Sequence, residues 1–346
     1  MSQPSSFHII DMHTAGEPVR LLLPGQITLH GATLLEKRQD MKTRHDAIRR
    51  ALMMEPRGHR DMYGAVLTEP ADPQSDVAVL FMHHSGYSTM CGHATIALGR
   101  YLYDEHLKRH PDQPRHTFRI ECPCGPVDVR VTEDANGNVV SEFDSVDCFV
   151  DGLDESIELD GLGHITYDIA YGGAYYAILP AARLGLDFLT TPVRQLADTA
   201  NRITDHLRAT RPIIHPHEED LSFLYGTILT DDTPPVKDAI SYNLCLFGDG
   251  QIDRSPTGSG VSARMALYHR KGLVTEASRP RFAGVSGIPF DARLCRSTKD
   301  SVAVRISGCG YYTGRSEMII APEDSLTYGF TLRNTFQDVM TSQKEI

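Results

Sequence analysis

The sequence predicts an α/β (α+β) protein of two similar modules, each rich in strands and carrying one prominent helix. Three observations lead there. Two small-residue turns, Cys91-Gly92-His93 and Thr257-Gly258-Ser259-Gly260, each open a helical segment, one in each half of the chain. Alternating apolar and polar runs, the mark of half-buried strands, fill most of the remainder. These strands do not alternate regularly with helices, as a doubly wound parallel sheet requires.

The elements follow in order. His8 to His13 reads as a strand, and Gly16-Glu17-Pro18 as the turn after it. Leu34 to Met54 carries Leu35, Met41, Ile48 and Leu52 at helical spacing. Val66-Leu67 and Val77 to Phe81 read as strands, the second buried. The first prominent helix runs from about Cys91 to Leu107. Phe118 to Ile120, Val127 to Val131 and Val139 to Phe143 alternate as strands do. Ile165 to Leu179 reads as one strand interrupted at Gly172-Gly173. Val193 to Leu207 is helical, with Ala197, Ala200, Ile203 and Leu207 on one face. Leu221 to Leu229 and Asn243 to Phe247 return to strand. The second prominent helix spans about Thr257 to Arg270, and several strands close the chain. The division expected is a first module of 1–180 plus 325–346 around the Cys91 turn, and a second of 181–324 around the Thr257 turn.

Composition narrows the function. The 346 residues are 41% hydrophobic and 23% charged, ordinary for a chain that buries its own core. The net charge of −11 disfavours a polyanionic partner such as nucleic acid. No apolar stretch reaches bilayer length, and Met1 to Ser6 lacks the pattern of a secretory signal, so no membrane partner is expected. Seven scattered cysteines suit reduced thiols and a cytoplasmic setting.

The two turn-helix units carry the chemistry. A helix start presents unpaired backbone N–H groups and the positive end of the dipole. Gly at the next position lets a ligand approach that backbone closely. Two such ends facing each other would hold a carboxylate on main-chain donors. A Cys there is expected to have a lowered pKa, which makes Cys91 a candidate reactive thiol. The alternative is a buried, inert small hydrophobe. The run Asp253-Arg254-Ser255-Pro256-Thr257-Gly258-Ser259-Gly260 has its own plain reading as a tight turn with a capped helix. Position 263 is Ala, so Gly258-x-Gly260 is not a dinucleotide fingerprint, and there is no P-loop.

These two blocks resemble the proline racemase family. Asp11-Met12-His13-Thr14-Ala15-Gly16-Glu17-Pro18, Tyr171-Gly172-Gly173 and Gly310-Tyr311-Tyr312-Thr313-Gly314 are similar to further family blocks in the same order, so the resemblance spans nearly the whole chain. It implies a diaminopimelate epimerase-like fold, with strands wrapped around each central helix and the site in the cleft between modules. It also implies cofactor-independent chemistry, a small imino-acid substrate and a homodimer. Racemases and 4-hydroxyproline epimerases of the family carry a Cys in both units, one for each face of Cα. Here Thr257 stands where the second Cys would, which is similar to the trans-3-hydroxy-L-proline dehydratase branch.

The departure makes chemical sense. Two-face proton exchange needs an acid and a base, each tuned near neutrality. A Thr hydroxyl is too weak an acid without a strong activating base, and the motif suggests none. Elimination needs less, because the Cα hydrogen and 3-hydroxyl of trans-3-hydroxy-L-proline lie on one ring face. The resemblance then implies the roles. Cys91 is the base, and the N–H groups of Gly92, His93, Gly258 and Ser259 hold the carboxylate. Asp253 accepts from the ring ammonium, and Thr257 faces the substrate as a non-basic hydroxyl or merely caps its helix. His93 contacts the Cys91 region or substrate, or else bonds backbone. The alternatives are a proline or 4-hydroxyproline racemase/epimerase, a thiol hydrolase, and a non-catalytic imino-acid binder.

Other candidates carry less. His83-His84, His215-x-His217 and Cys122-x-Cys124 lack the paired spacing of a structural zinc site, and no metal is expected. His13 is expected to serve a strand end. Arg100 and Arg264 are expected on the surface, solvated or ion-paired.

Overall fold

The computed structural model describes residues 6–236 and 239–332. Strands dominate and helices are few. One hydrogen-bonded network links seventeen strands in mixed parallel and antiparallel pairing. The first strand, Ser6–Thr14, pairs antiparallel with Glu17–Leu22 through a tight turn at Ala15 and Gly16, both at positive φ. Glu17 therefore begins a strand and does not sit in the turn. The helical spacing over Leu34 to Met54 resolves into two helices, Leu34–Arg44 and Asp46–Met53. Thr33 starts the first with a reciprocal capping box to Glu36.

The two prominent helices are Gly92–Arg109 and Gly258–Arg270. Both are buried over most of their first turns, as their small, apolar sequences allow. The first packs on the strands Ser6–Thr14, Gly125–Glu133, Val139–Asp144 and Val302–Ile319. The second packs on Phe149–Leu159, Gly163–Tyr171, Tyr175–Pro180 and the same long strand, Val302–Ile319. Strands within 149–171, which the sequence division groups with the first helix, thus lie against the second. The long strand passes from Pro289–Ser297 at its start to Ser6–Thr14 at its end. The last fourteen residues of the expected first module, 333–346, lie outside the described residues.

Two expectations need correction. Ile165 to Leu179 is not one interrupted strand. It is a hairpin, Gly163–Tyr171 with Tyr175–Pro180, turning at Gly172-Gly173-Ala174. Gly172 turns there because a side chain would strike the Ser259 carbonyl at the start of the second helix. Phe149–Leu159 is a further strand that the pattern does not reveal, since its acidic residues and outward faces blur the alternation.

Arg264 is the other correction. It is fully buried, not on the surface. Its guanidinium donates to Asn243 Oδ1 at 2.9 Å, Ser241 Oγ at 2.6 Å and Tyr268 Oη at 2.7 Å. It also lies over the Phe282 ring, 4.6 Å from the centroid. The helix turns it inward because the sheet behind supplies neutral acceptors and a π face in place of water. Arg100 behaves as expected, paired with Asp104 at 2.7 Å. Replacing Arg264 by Ala strands three polar partners and opens a void, so we expect a loss of about 3 kcal/mol or more in denaturant unfolding. A near-neutral result would contradict this account of the core.

Candidate active site

The two helices meet start to start. A Cβ built on Gly258 would lie 2.6 Å from Gly92 Cα, and one on Gly92 would overlap the Gly258 backbone in turn. Only glycine at both positions permits this approach. It brings two sets of helix-start N–H groups, each at the positive end of a dipole, to one point.

Cys91 caps the first helix. Its backbone is extended, and Sγ accepts from the Ala94 N–H at 3.4 Å. Thr257 precedes the second helix with φ 64, in the left-handed region that a β-branched residue rarely enters. The alternative of a helix-capping side chain does not hold, because the Thr257 side chain does not bond the helix. Its Oγ1 donates instead to Asp253 Oδ2 at 2.8 Å. Asp253 Oδ1 accepts from the Ser255 N–H at 2.7 Å, and Ser255 Oγ accepts from the Thr257 N–H at 3.1 Å. This compact network holds the left-handed turn in place. It also supplies the partner for Thr257 that the linear motif hides.

Cys91, Gly92, His93, Asp253, Thr257, Gly258 and Ser259 all line one narrow cavity with about 10 Å³ of free space. The residues singled out at both turns are therefore neighbours in space. Tyr63, Tyr176, Tyr225, Phe247 and Met90 complete its walls. Tyr176 Oη lies 2.7 Å from Ser259 Oγ, and Tyr63 packs edge-on against His93 at 4.8 Å. Sequence reading misses these aromatic walls. They sit in buried strands, where an aromatic carries no local mark separating cavity lining from core. Glu17 is missed as well. It is wholly buried and accepts from the Arg254 N–H at 2.7 Å, and burial followed by the Asp253 carboxyl pushes its own carboxyl well above the usual range.

Burial dominates the electrostatics. The Cys91 thiol is pushed well above its ordinary range, first by burial and then by the Asp253 and Glu17 carboxyls. The Ala94 N–H pulls the other way but loses. The lowered pKa expected from the helix start is thus overturned. Desolvation of a thiolate outweighs one partial dipole. Burial pushes His93 down to about 3, so its ring is neutral near pH 7. Its Nδ1 lies 3.1 Å from Cys91 Sγ and can accept the thiol proton as a hydrogen bond. That places His93 in the Cys91 region. Burial raises Asp253 to about 6, even with bonds from Ser255 and Thr257 lowering it.

The remaining candidates fall elsewhere. His13 stacks on Tyr311 at 5.4 Å, at a strand end. All seven cysteines are free thiols. Among the described residues, no group of three or more His, Cys, Asp or Glu could hold a metal ion. No described helix is long and apolar enough to cross a membrane.

A family model described as proline racemase matches residues 9–331. A trans-3-hydroxy-L-proline dehydratase of Homo sapiens is 44% identical over 333 residues, 94% of each chain. A trans-L-3-hydroxyproline dehydratase of Saccoglossus kowalevskii is 45% identical, covering 93% of this chain and all of its own. Among solved structures, a hydroxyproline epimerase from Agrobacterium vitis with bound trans-4-OH-L-proline superposes with a TM-score of 0.86. It is 22% identical and covers 96% of this chain and 97% of its own, a likeness of fold.

Proposed function

The chain belongs to the proline racemase family, and from that premise we propose that it dehydrates trans-3-hydroxy-L-proline to Δ1-pyrroline-2-carboxylate. One observation carries the reading. A single thiol, Cys91, shares the cavity with a hydroxyl, Thr257, that is bonded to a carboxylate. The dehydratase names of relatives over 40% identical along nearly the whole chain support it.

The steps follow from the cavity. The substrate carboxylate sits on the N–H groups of Gly92, His93, Gly258 and Ser259, which also stabilise charge as Cα becomes carbanion-like. Asp253 accepts from the ring ammonium. That cation adds to the positive field of the paired helix ends and draws the Cys91 thiol toward thiolate. The thiolate takes the Cα proton. The Cα–Cβ double bond forms as the Cβ–O bond breaks, and the thiol returns its proton to the departing hydroxyl as water. The enamine then tautomerises to the cyclic imine.

Thr257 stays out of proton transfer. An alkanol, like water, ionises only far above neutrality, while its partner Asp253 titrates at about 6. That gap keeps the second face of Cα without a base, which disfavours racemase or epimerase action. These steps use a thiol, backbone donors and a carboxylate, so the reading includes no cofactor. It also includes two strand-wrapped modules with the site in the cleft between them. A cytoplasmic homodimer completes it, carried from the thiol content and the family resemblance. The cavity's free space of about 10 Å³ falls far short of the ~300 Å³ at which small-molecule sites begin. Its walls therefore part to admit the ring and close over it, excluding water.

The direct test incubates the protein, without additives, with trans-3-hydroxy-L-proline, trans-4-hydroxy-L-proline and L-proline, following imine and optical rotation. We expect imine from the first alone, and a drop of at least about 100-fold in Cys91→Ala. Rotation lost from the other two without imine would instead favour the epimerase reading. Thr257→Cys places a second thiol on the opposite face, and should gain Cα deuterium exchange with inversion on trans-4-hydroxy-L-proline. Retention of a purely dehydrating enzyme would count against the role given to Thr257. Asp253 must be ionised to accept the ammonium, so kcat/KM should climb as pH rises through about 6. Asp253→Asn should abolish that limb and lower kcat/KM roughly tenfold to a hundredfold.

A further inference from the structure

Outside the cavity lies a much larger groove of about 1400 Å³. The two spaces share one wall residue, Tyr225. Its ring stacks on Phe247 at 5.7 Å, and His83, which lines the groove, packs edge-on against the same Phe247 at 5.6 Å. The groove is therefore the approach to the cavity, with Tyr225 at the threshold.

Its charges are laid out unevenly. The helix Leu34–Arg44 presents Arg38 and Lys42, and the segment Glu218–Asp220 presents carboxylates to the same groove. Arg49 is already engaged, with Asp46 at 2.6 Å. Arg38 is not. Its one hydrogen bond runs to the Tyr87 carbonyl at 3.3 Å, and its buried Nε finds no partner among the described residues. Burial works against the Arg38 charge, and the Asp220 carboxylate is the first group that favours it. A half-buried guanidinium with spare donors is poorly satisfied until an anion arrives. A zwitterion brings a carboxylate for the guanidinium and an ammonium for the acidic segment.

We propose that this groove is a vestibule for zwitterionic imino acids, in which Arg38 captures the substrate carboxylate and Asp220 faces the ring ammonium before the ring passes Tyr225. The proposal rests on the dehydratase reading and adds a recognition step ahead of the chemistry. Arg38 acts on capture and release into the cavity, so its loss should fall on kcat/KM and leave kcat alone.

Steady-state imine formation from trans-3-hydroxy-L-proline tests it, in the unsubstituted protein, Arg38→Gln, Arg38→Lys and Asp220→Asn. We expect kcat/KM to fall about tenfold in Arg38→Gln, with kcat within about twofold, and to recover in part in Arg38→Lys. Asp220→Asn should also lower kcat/KM. The gap between Arg38→Gln and the unsubstituted protein should narrow at 1 M salt, where screening acts over about 3 Å. An unchanged kcat/KM in Arg38→Gln overturns the proposal. So does a loss in kcat that Arg38→Lys leaves unrepaired, since that marks a structural role. Imine formation that the Arg38 variants leave untouched sinks the vestibule alone. No imine from the unsubstituted protein sinks the dehydratase reading and the vestibule with it.

Discussion

Backbone contact between Gly92 and Gly258 is the constraint on which the site depends. It sets two helix starts against each other at a distance no side chain tolerates. From that approach come the convergent N–H donors, the shared positive field, and the placing of Cys91 and Thr257 on one cavity. Neighbouring strands serve the same contact. The Gly172 turn of the hairpin presses on the Ser259 carbonyl, which leaves the second helix start little freedom to retreat.

Enclosure then decides the chemistry of each group. A thiol at a helix start is usually activated, yet here desolvation and two nearby carboxyls push the Cys91 thiol up. The same burial holds His93 neutral and Asp253 near 6. In the proposed reaction activation and recognition become one event, because the ammonium assigned to Asp253 is also what would favour the thiolate.

The difference between elimination and racemisation reduces to one position. Two thiols across a ring can exchange a proton through both faces, whereas a thiol and an alkanol cannot. The Asp253 bond gives Thr257 a fixed direction without making it a base. Its left-handed backbone, held by Ser255, keeps that hydroxyl aimed at Asp253 and away from the helix it precedes.

Much of this was legible along the chain, because the signals are local. Small residues at a helix start, alternation in strands and ordered motifs act over a few neighbours, and Cys91, Thr257 and Asp253 all sit in such motifs. The strand Phe149–Leu159 was not legible, since its alternation is blurred, and neither was the hairpin turn at Gly172, whose cause is a carbonyl far along the chain. Arg264 read as surface because charge alone is visible in sequence, while its acceptors come from distant residues. The tyrosine walls, Glu17 and the rise in the Cys91 pKa belong to the same class. Sequence determined which groups could react. Tertiary structure alone decided their solvation and their partners, because burial and long-range contact are properties of the folded whole.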